Sequence, residues 1–198
     1  MRITTALAVF AFFGLSAPLR AADEITVASP DGRVQFRLFK DARGSLTYTV
    51  TLGSKAVIEP SKIGIVVDKV NLSEGVELGK ADAYRVNTTY PWNGPHSMAV
   101  DKCNGVKLAV LHSQSHSNYT LEVRAYNDGV AFRHFVPGEG VRVPDEATGF
   151  HLPDGATVWY HDTEDHYEGT YMRRALKANA ASFFKLGPGV CTQIVAKG

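Results

Sequence analysis

The stretch Tyr119-Thr120-Leu121-Glu122-Val123-Arg124-Ala125-Tyr126-Asn127-Asp128-Gly129-Val130-Ala131-Phe132-Arg133-His134-Phe135-Val136 decides the fold. Its first half alternates apolar and polar residues, its second half does the same, and Asn127-Asp128-Gly129 divides them. A period of two places successive side chains on opposite faces of a sheet. Asp-Gly between two such runs is among the strongest short-range hairpin signals. The expectation is two antiparallel strands with one buried face.

The same grammar extends in both directions. Upstream, Val34–Leu38 and Leu46–Leu52 alternate around Asp41-Ala42-Arg43-Gly44, and Ile25–Ala28 precedes a turn at Ser29-Pro30-Asp31-Gly32. Ile63–Val67 is a continuous apolar run and reads as a strand buried on both faces. Val106–Leu111, Thr157–His161 and Val190–Val195 are further strand candidates. Met172–Ala181 carries good helix formers without an amphipathic stripe, so it reads at most as a short surface helix. Many short strands with frequent turns point to an all-β sandwich or barrel.

The start of the chain reads differently. Met1-Arg2 is positive, Ile3–Leu15 is apolar, and small residues follow around Ser16-Ala17 and Ala21-Ala22. That is the pattern of a cleavable secretory signal, expected to span residues 1–21, with export to the periplasm or outside the cell. The apolar run is shorter than the ~20 residues that cross a bilayer. The mature part, 22–198, fits one domain. Hydrophobic residues make up 44% of the chain, enough for a core, while a net charge of +1 with mixed signs gives no concentrated positive face. Nucleic acid is therefore not an expected partner, nor is a membrane once the signal is removed.

Candidate chemistry is sparse. His161-Asp162-Thr163-Glu164-Asp165-His166-Tyr167-Glu168 is the most polar cluster, but its spacing matches neither a zinc set nor a calcium loop. Trp92, in the loop Tyr90-Pro91-Trp92-Asn93-Gly94-Pro95-His96, suits either a sugar face or a packing anchor. Trp159 lies in a strand run and reads as core. His112 and His116 flank Ser113-Gln114-Ser115 with no acid nearby to complete a nucleophilic set. Two cysteines, Cys103 and Cys191, leave open a disulfide or two buried thiols. A bridge closing that long loop would contribute roughly 4–5 kcal/mol. Asn71, Asn87 and Asn118 head Asn-X-Ser/Thr triplets, which matter only in a glycosylating host.

Five segments occur in a telling order: Ser29-Pro30-Asp31-Gly32, Val57-Ile58-Glu59-Pro60-Ser61-Lys62-Ile63-Gly64-Ile65, Tyr90-Pro91-Trp92-Asn93-Gly94-Pro95-His96-Ser97, Val123–Arg133 and Tyr167-Glu168-Gly169-Thr170-Tyr171. Together they resemble the N-terminal domain of glycoside hydrolase family 97, which includes secreted α-glucosidases and α-galactosidases. The resemblance implies a large twisted antiparallel β-sandwich of the galactose-mutarotase-like type. It also implies that the catalytic carboxylates belong to a (β/α)₈ barrel of ~250 residues, for which this chain has no room. No catalytic residue is therefore assigned; the resemblance leaves two readings of the C-terminal part, a truncation or a domain that has drifted from the catalytic role.

The resemblance also implies a calcium ion in the full-length family, held in part by a glutamate after a Phe-Lys-Leu-like strand. Here Phe184-Lys185-Leu186 leads to Cys191–Gly198 without a carboxylate, so no metal ligand is assigned. The expected role is a non-catalytic, carbohydrate-associated domain that shapes a substrate pocket, lined by Trp92, His96, Tyr167 and Glu168. Two other readings stand beside it. One is a stand-alone mutarotase-like epimerase using His134 or His151 with Glu122 or Glu146. The other is a secreted interaction domain.

Overall fold

A computed structural model describes residues 24–160, 172–175 and 193–195. The strands are β1 (Glu24–Ala28), β2 (Val34–Lys40), β3 (Leu46–Leu52), β4 (Lys55–Lys62), β5 (Ile65–Val67), β6 (Val70–Asn71) and β7 (Val76–Pro91). Next come β8 (Met98–His112), β9 (Ser117–Tyr126), β10 (Gly129–Phe135), β11 (Pro144–Glu146), β12 (Thr157–Tyr160), β13 (Met172–Ala175) and β14 (Gln193–Val195). Among the described residues there is no helix.

Two four-stranded sheets, ordered β1-β2-β3-β4 and β10-β9-β8-β7, form the body, and every strand pairing is antiparallel. Sheets β11-β5-β6 and β13-β12-β14 are smaller. The deciding stretch forms its hairpin as expected: β9 and β10 pair from Gly129↔Tyr126 to Phe135↔Thr120. The alternation settles which face is buried. On β2, Val34, Phe36 and Leu38 are buried while Gln35 and Arg37 are exposed. In the other sheet Val106↔Val123, Leu108↔Leu121 and Val110↔Tyr119 face each other across β8 and β9, and all are buried. One core cluster takes in both inner faces. Tyr48 joins them, stacked on Phe36 at 5.4 Å and tilted against Phe132 of the opposite sheet at 6.0 Å. Its buried hydroxyl donates to the Gly149 carbonyl at 3.0 Å, as a phenol inside a core must.

The turns use the residues that suggested them. Gly32 and Gly44 take φ of +73° and +74°, which only glycine adopts without strain. Asp41 Oδ1 accepts from the backbone N–H of Arg43 and Ser45, so a side chain completes the turn.

Three expectations are corrected. Ile63–Val67 is not one strand: Ile63 and Gly64 separate β4 from β5, and the chain passes from the first sheet to the third. The break is possible because Gly64 lies against Ser73, where an added Cβ would come within 2.3 Å of the Ser73 Cβ. Met172–Ala175, expected at most to be helical, is β13, paired with β12 from Tyr160↔Met172 to Thr157↔Ala175; a sheet edge outweighs modest helix propensity. Trp159 is 38% exposed, whereas Val158 is fully buried. Alternation on β12 gives the core position to the valine and turns the indole outward, with the Arg173 guanidinium 5.9 Å from its ring centre.

Candidate functional site

The longest strands, β7 and β8, outrun their sheet. Pairing of β8 with β9 ends at Asn104↔Ala125, while pairing with β7 continues from Val86↔Cys103 to Pro91↔Met98. These last six pairs form a two-stranded arm of roughly 20 Å. The sequence of such a ribbon is hard to read, because Asn87, Thr88, Thr89 and Lys102 are polar on both faces. Its base begins past a register shift between Leu78 and Ala81, where an extra residue sharpens the strand twist.

At the tip the Trp92 backbone N–H donates to the Ser97 carbonyl at 3.0 Å. The indole is held in place: Tyr90 meets it edge-on at 6.3 Å and 80°. Gly94 lies so close that an added Cβ would stand 2.6 Å from the indole Nε1. Even so, 56% of Trp92 and 45% of Tyr90 remain exposed. The tip thus presents an ordered aromatic surface to solvent, with His96 exposed beside it. Of the four expected pocket residues the structure brings Trp92 and His96 to one turn, and Tyr167 and Glu168 lie outside the described residues. So does the whole His161–Glu168 cluster.

A second group lies on the outer face of the same sheet, and of it sequence reasoning named only Glu122. Tyr84, Gly105 and Arg124 sit side by side on β7, β8 and β9, and Arg133 of β10 pairs with Glu122 of β9. Glu122 is only 2% exposed. It accepts from the Tyr84 hydroxyl and from Arg133 Nε, each at 2.5 Å. Arg124 donates to Tyr84 Oη at 2.9 Å and to Asp101 at 3.4 Å. Gly105 makes room for this, since an added Cβ would lie 2.3 Å from the Tyr84 ring. Burial alone would raise the Glu122 carboxyl; the Tyr84 hydroxyl and the Arg133 and Arg124 guanidinium groups outweigh it and hold it below the ordinary glutamate value. A carboxylate kept ionised this way is a poor general acid. The shallow depression beside it, ≈ 200 Å³, is lined by Glu122, Arg124, Tyr126 and Arg133 among others.

The geometry also sorts the remaining candidates. His134 is paired opposite Leu121, so it points to the core face, while Glu122 points outward. The sheet itself separates that acid–base pair. His134 sits 5.9 Å from Tyr119 and 6.2 Å from Phe132, and its buried Nε2 has no hydrogen-bond partner. Burial pushes its imidazole down, opposed by the charge of Glu146. His151 Nδ1 lies 3.5 Å from Glu59, a partner the sequence did not suggest. His112 is buried and bound to Ser115. Cys103 is buried on β8, where desolvation raises its thiol; Cys191 lies outside the described residues. Among the described residues no three His, Cys, Asp or Glu side chains converge to hold a metal ion.

Comparison with known proteins supplies what the geometry leaves open. The family profile described as "Glycosyl-hydrolase 97 N-terminal" matches residues 27–188. A probable retaining alpha-galactosidase of Streptomyces bingchenggensis is 30% identical over 88% of this chain and 31% of its own length. A retaining alpha-galactosidase of Bacteroides thetaiotaomicron is 27% identical over 77% of this chain and 22% of its own. The chain therefore spans less than a third of these relatives. Among solved structures, a glycoside hydrolase family 97 enzyme of Pseudoalteromonas sp. strain K8 in complex with panose superposes with a TM-score of 0.66. That match is at 25% identity over 75% of this chain and 24% of that one. A beta-arabinopyranosidase matches at 19% identity with a TM-score of 0.63, a likeness of fold alone.

Proposed function

The chain belongs to the glycosyl-hydrolase 97 N-terminal family, and from that premise we propose that it is the non-catalytic sandwich of an exported α-glycosidase. In this reading the β7–β8 arm walls the substrate pocket of a catalytic barrel, with Trp92 and His96 turned toward the sugar. The observation that carries it is the ordered, half-exposed Tyr90–Trp92 pair at the arm tip, in a chain matching about a third of an alpha-galactosidase. An aromatic face suits the apolar face of a pyranose ring. Glu122 does not suit catalysis: its oxygens are engaged by Tyr84 and Arg133, whereas glycoside hydrolysis needs an acid free to give a proton and a second carboxylate facing it. Substrates are taken to be α-linked glucosides or galactosides, in keeping with the panose and acarbose bound by relatives of this fold.

The purified chain is expected to leave p-nitrophenyl α-galactoside and α-glucoside unhydrolysed and to leave glucose and galactose mutarotation at the blank rate. Turnover of either glycoside well above blank would sink the non-catalytic assignment, and accelerated mutarotation would favour the epimerase. Export is part of the same proposal. N-terminal sequencing of the secreted chain should begin at Ala22, and a start at Met1 would contradict it.

A further inference from the structure

We propose that a cavity at the opposite end of β8 from the arm is a second binding site, one that takes a neutral saccharide unit. The cavity measures ≈ 440 Å³ and is lined by Lys69, Asn71, Glu74, His112, Gln114 and Ser115 among others. That volume lies within the usual range of small-molecule sites. His112 closes β8, roughly 45 Å from the Met98 end by the strand rise, so the cavity is separate from the aromatic tip.

His112 is the reason to regard this cavity as built. The residue is 2% exposed. Its Nδ1 accepts the Ser115 backbone N–H at 3.2 Å and lies 2.6 Å from Ser115 Oγ. An Nδ1 that accepts from a backbone N–H leaves the proton of the neutral ring on Nε2. No hydrogen bond among the described residues engages that Nε2–H, and His112 is among the residues that line the cavity. The turn thus leaves a nearly buried donor, on a residue that lines the cavity, without an acceptor from the described residues.

The surrounding groups complete a mixed set. Asn71 Oδ1 is occupied by the Ser73 N–H at 3.1 Å and the Ser73 hydroxyl at 2.7 Å, leaving its NH₂ to donate. Glu74 Oε1 accepts from Lys62 at 3.1 Å, leaving Oε2 to accept. Lys69 holds φ of +70° beside Asp68 at +51°, the two-residue hairpin turn that matches strand twist but disfavours side chains other than Gly, Asn and Asp. Asp68 accepts the Val143 N–H there; Lys69 makes no ion pair among the described residues and is itself one of the lining residues. The lining carries one ammonium and one carboxylate, and the carboxylate is shared with Lys62. Donors set beside a free carboxylate oxygen suit vicinal hydroxyls, which both donate and accept, whereas phosphate only accepts and would meet that oxygen's charge.

The test is an NMR titration of the isotopically labelled full chain with galactose, glucose and maltose. Saturable shifts are expected at the His112 Nε2–H and at the amides of Lys69, Gly75 and Gln114. Lys69→Gly, which relaxes the turn, and Gln114→Ala, on the surface, should each weaken binding about fivefold, the loss of one hydrogen bond. Trp92→Ala should leave these shifts unchanged, which separates this site from the arm. The proposal is overturned if the shifts are absent or confined to the arm, if sodium phosphate reproduces them, or if both cavity variants bind as the parent does.

Discussion

Glu122 shows what one side chain contributes when its surroundings are arranged for it. A carboxylate that is nearly dry is stabilising only while its partners are present. Its folded value lies below the ordinary one, with burial raising it and Tyr84, Arg133 and Arg124 lowering it further. A depressed carboxyl contributes stability that is fully present above its unfolded value and is lost as pH falls through the folded one. Urea unfolding should therefore show stability falling below about pH 4.3, the ordinary glutamate range. In Glu122→Gln that acid slope should flatten, and stability at pH 7 should drop by about 2–3 kcal/mol from the mismatched buried partners. An unchanged acid slope would show that Glu122 is not the group responsible.

At the scale of elements the arm and the sheets differ in how they are held. Val106, Leu108 and Val110 of β8 are buried between sheets, whereas Met98 and Val100 farther along the same strand are 47% and 66% exposed. A two-stranded ribbon is marginal by itself in water. Amide hydrogen exchange should thus be fast for Asn87–Tyr90 and Ala99–Lys102 and slow for Val106–Val110, by about a hundredfold or more. Uniform protection along β8 would contradict this.

The same contrast explains what was legible. β2, β3, β9 and β10 could be read because apolar and polar side chains alternate along each, most cleanly on β2, where Val34, Phe36 and Leu38 are buried and Gln35 and Arg37 exposed. Much of β7 could not, because its arm half is wet on both faces. β4 was hidden by Pro60, and β13 by residues that favour helix until β12 offers them a ladder. Trp92 and His96 could be singled out from their loop chemistry. The Glu122 cluster could not, because Tyr84, Asp101, Glu122 and Arg133 come from four strands and meet only through register.

For the whole molecule, stability rests on the shared core between the two main sheets. Leu121 and Leu108 face each other with no exposure, so Leu121→Ala should cost about 2–5 kcal/mol through lost burial and an unfilled cavity. Denaturant melts measure it; a loss below about 1 kcal/mol would mean that the site collapses around the smaller side chain. The sequence by itself determined the all-β class, the central hairpin and the order of family segments, because these depend on local alternation and turn chemistry. Only the tertiary structure decided which strand outran its sheet, that Glu122 and His134 lie on opposite faces, and that His112 meets Lys69 and Glu74 around one cavity. Those facts depend on register and on contacts between distant strands, and a period of two is the same whichever strand lies alongside.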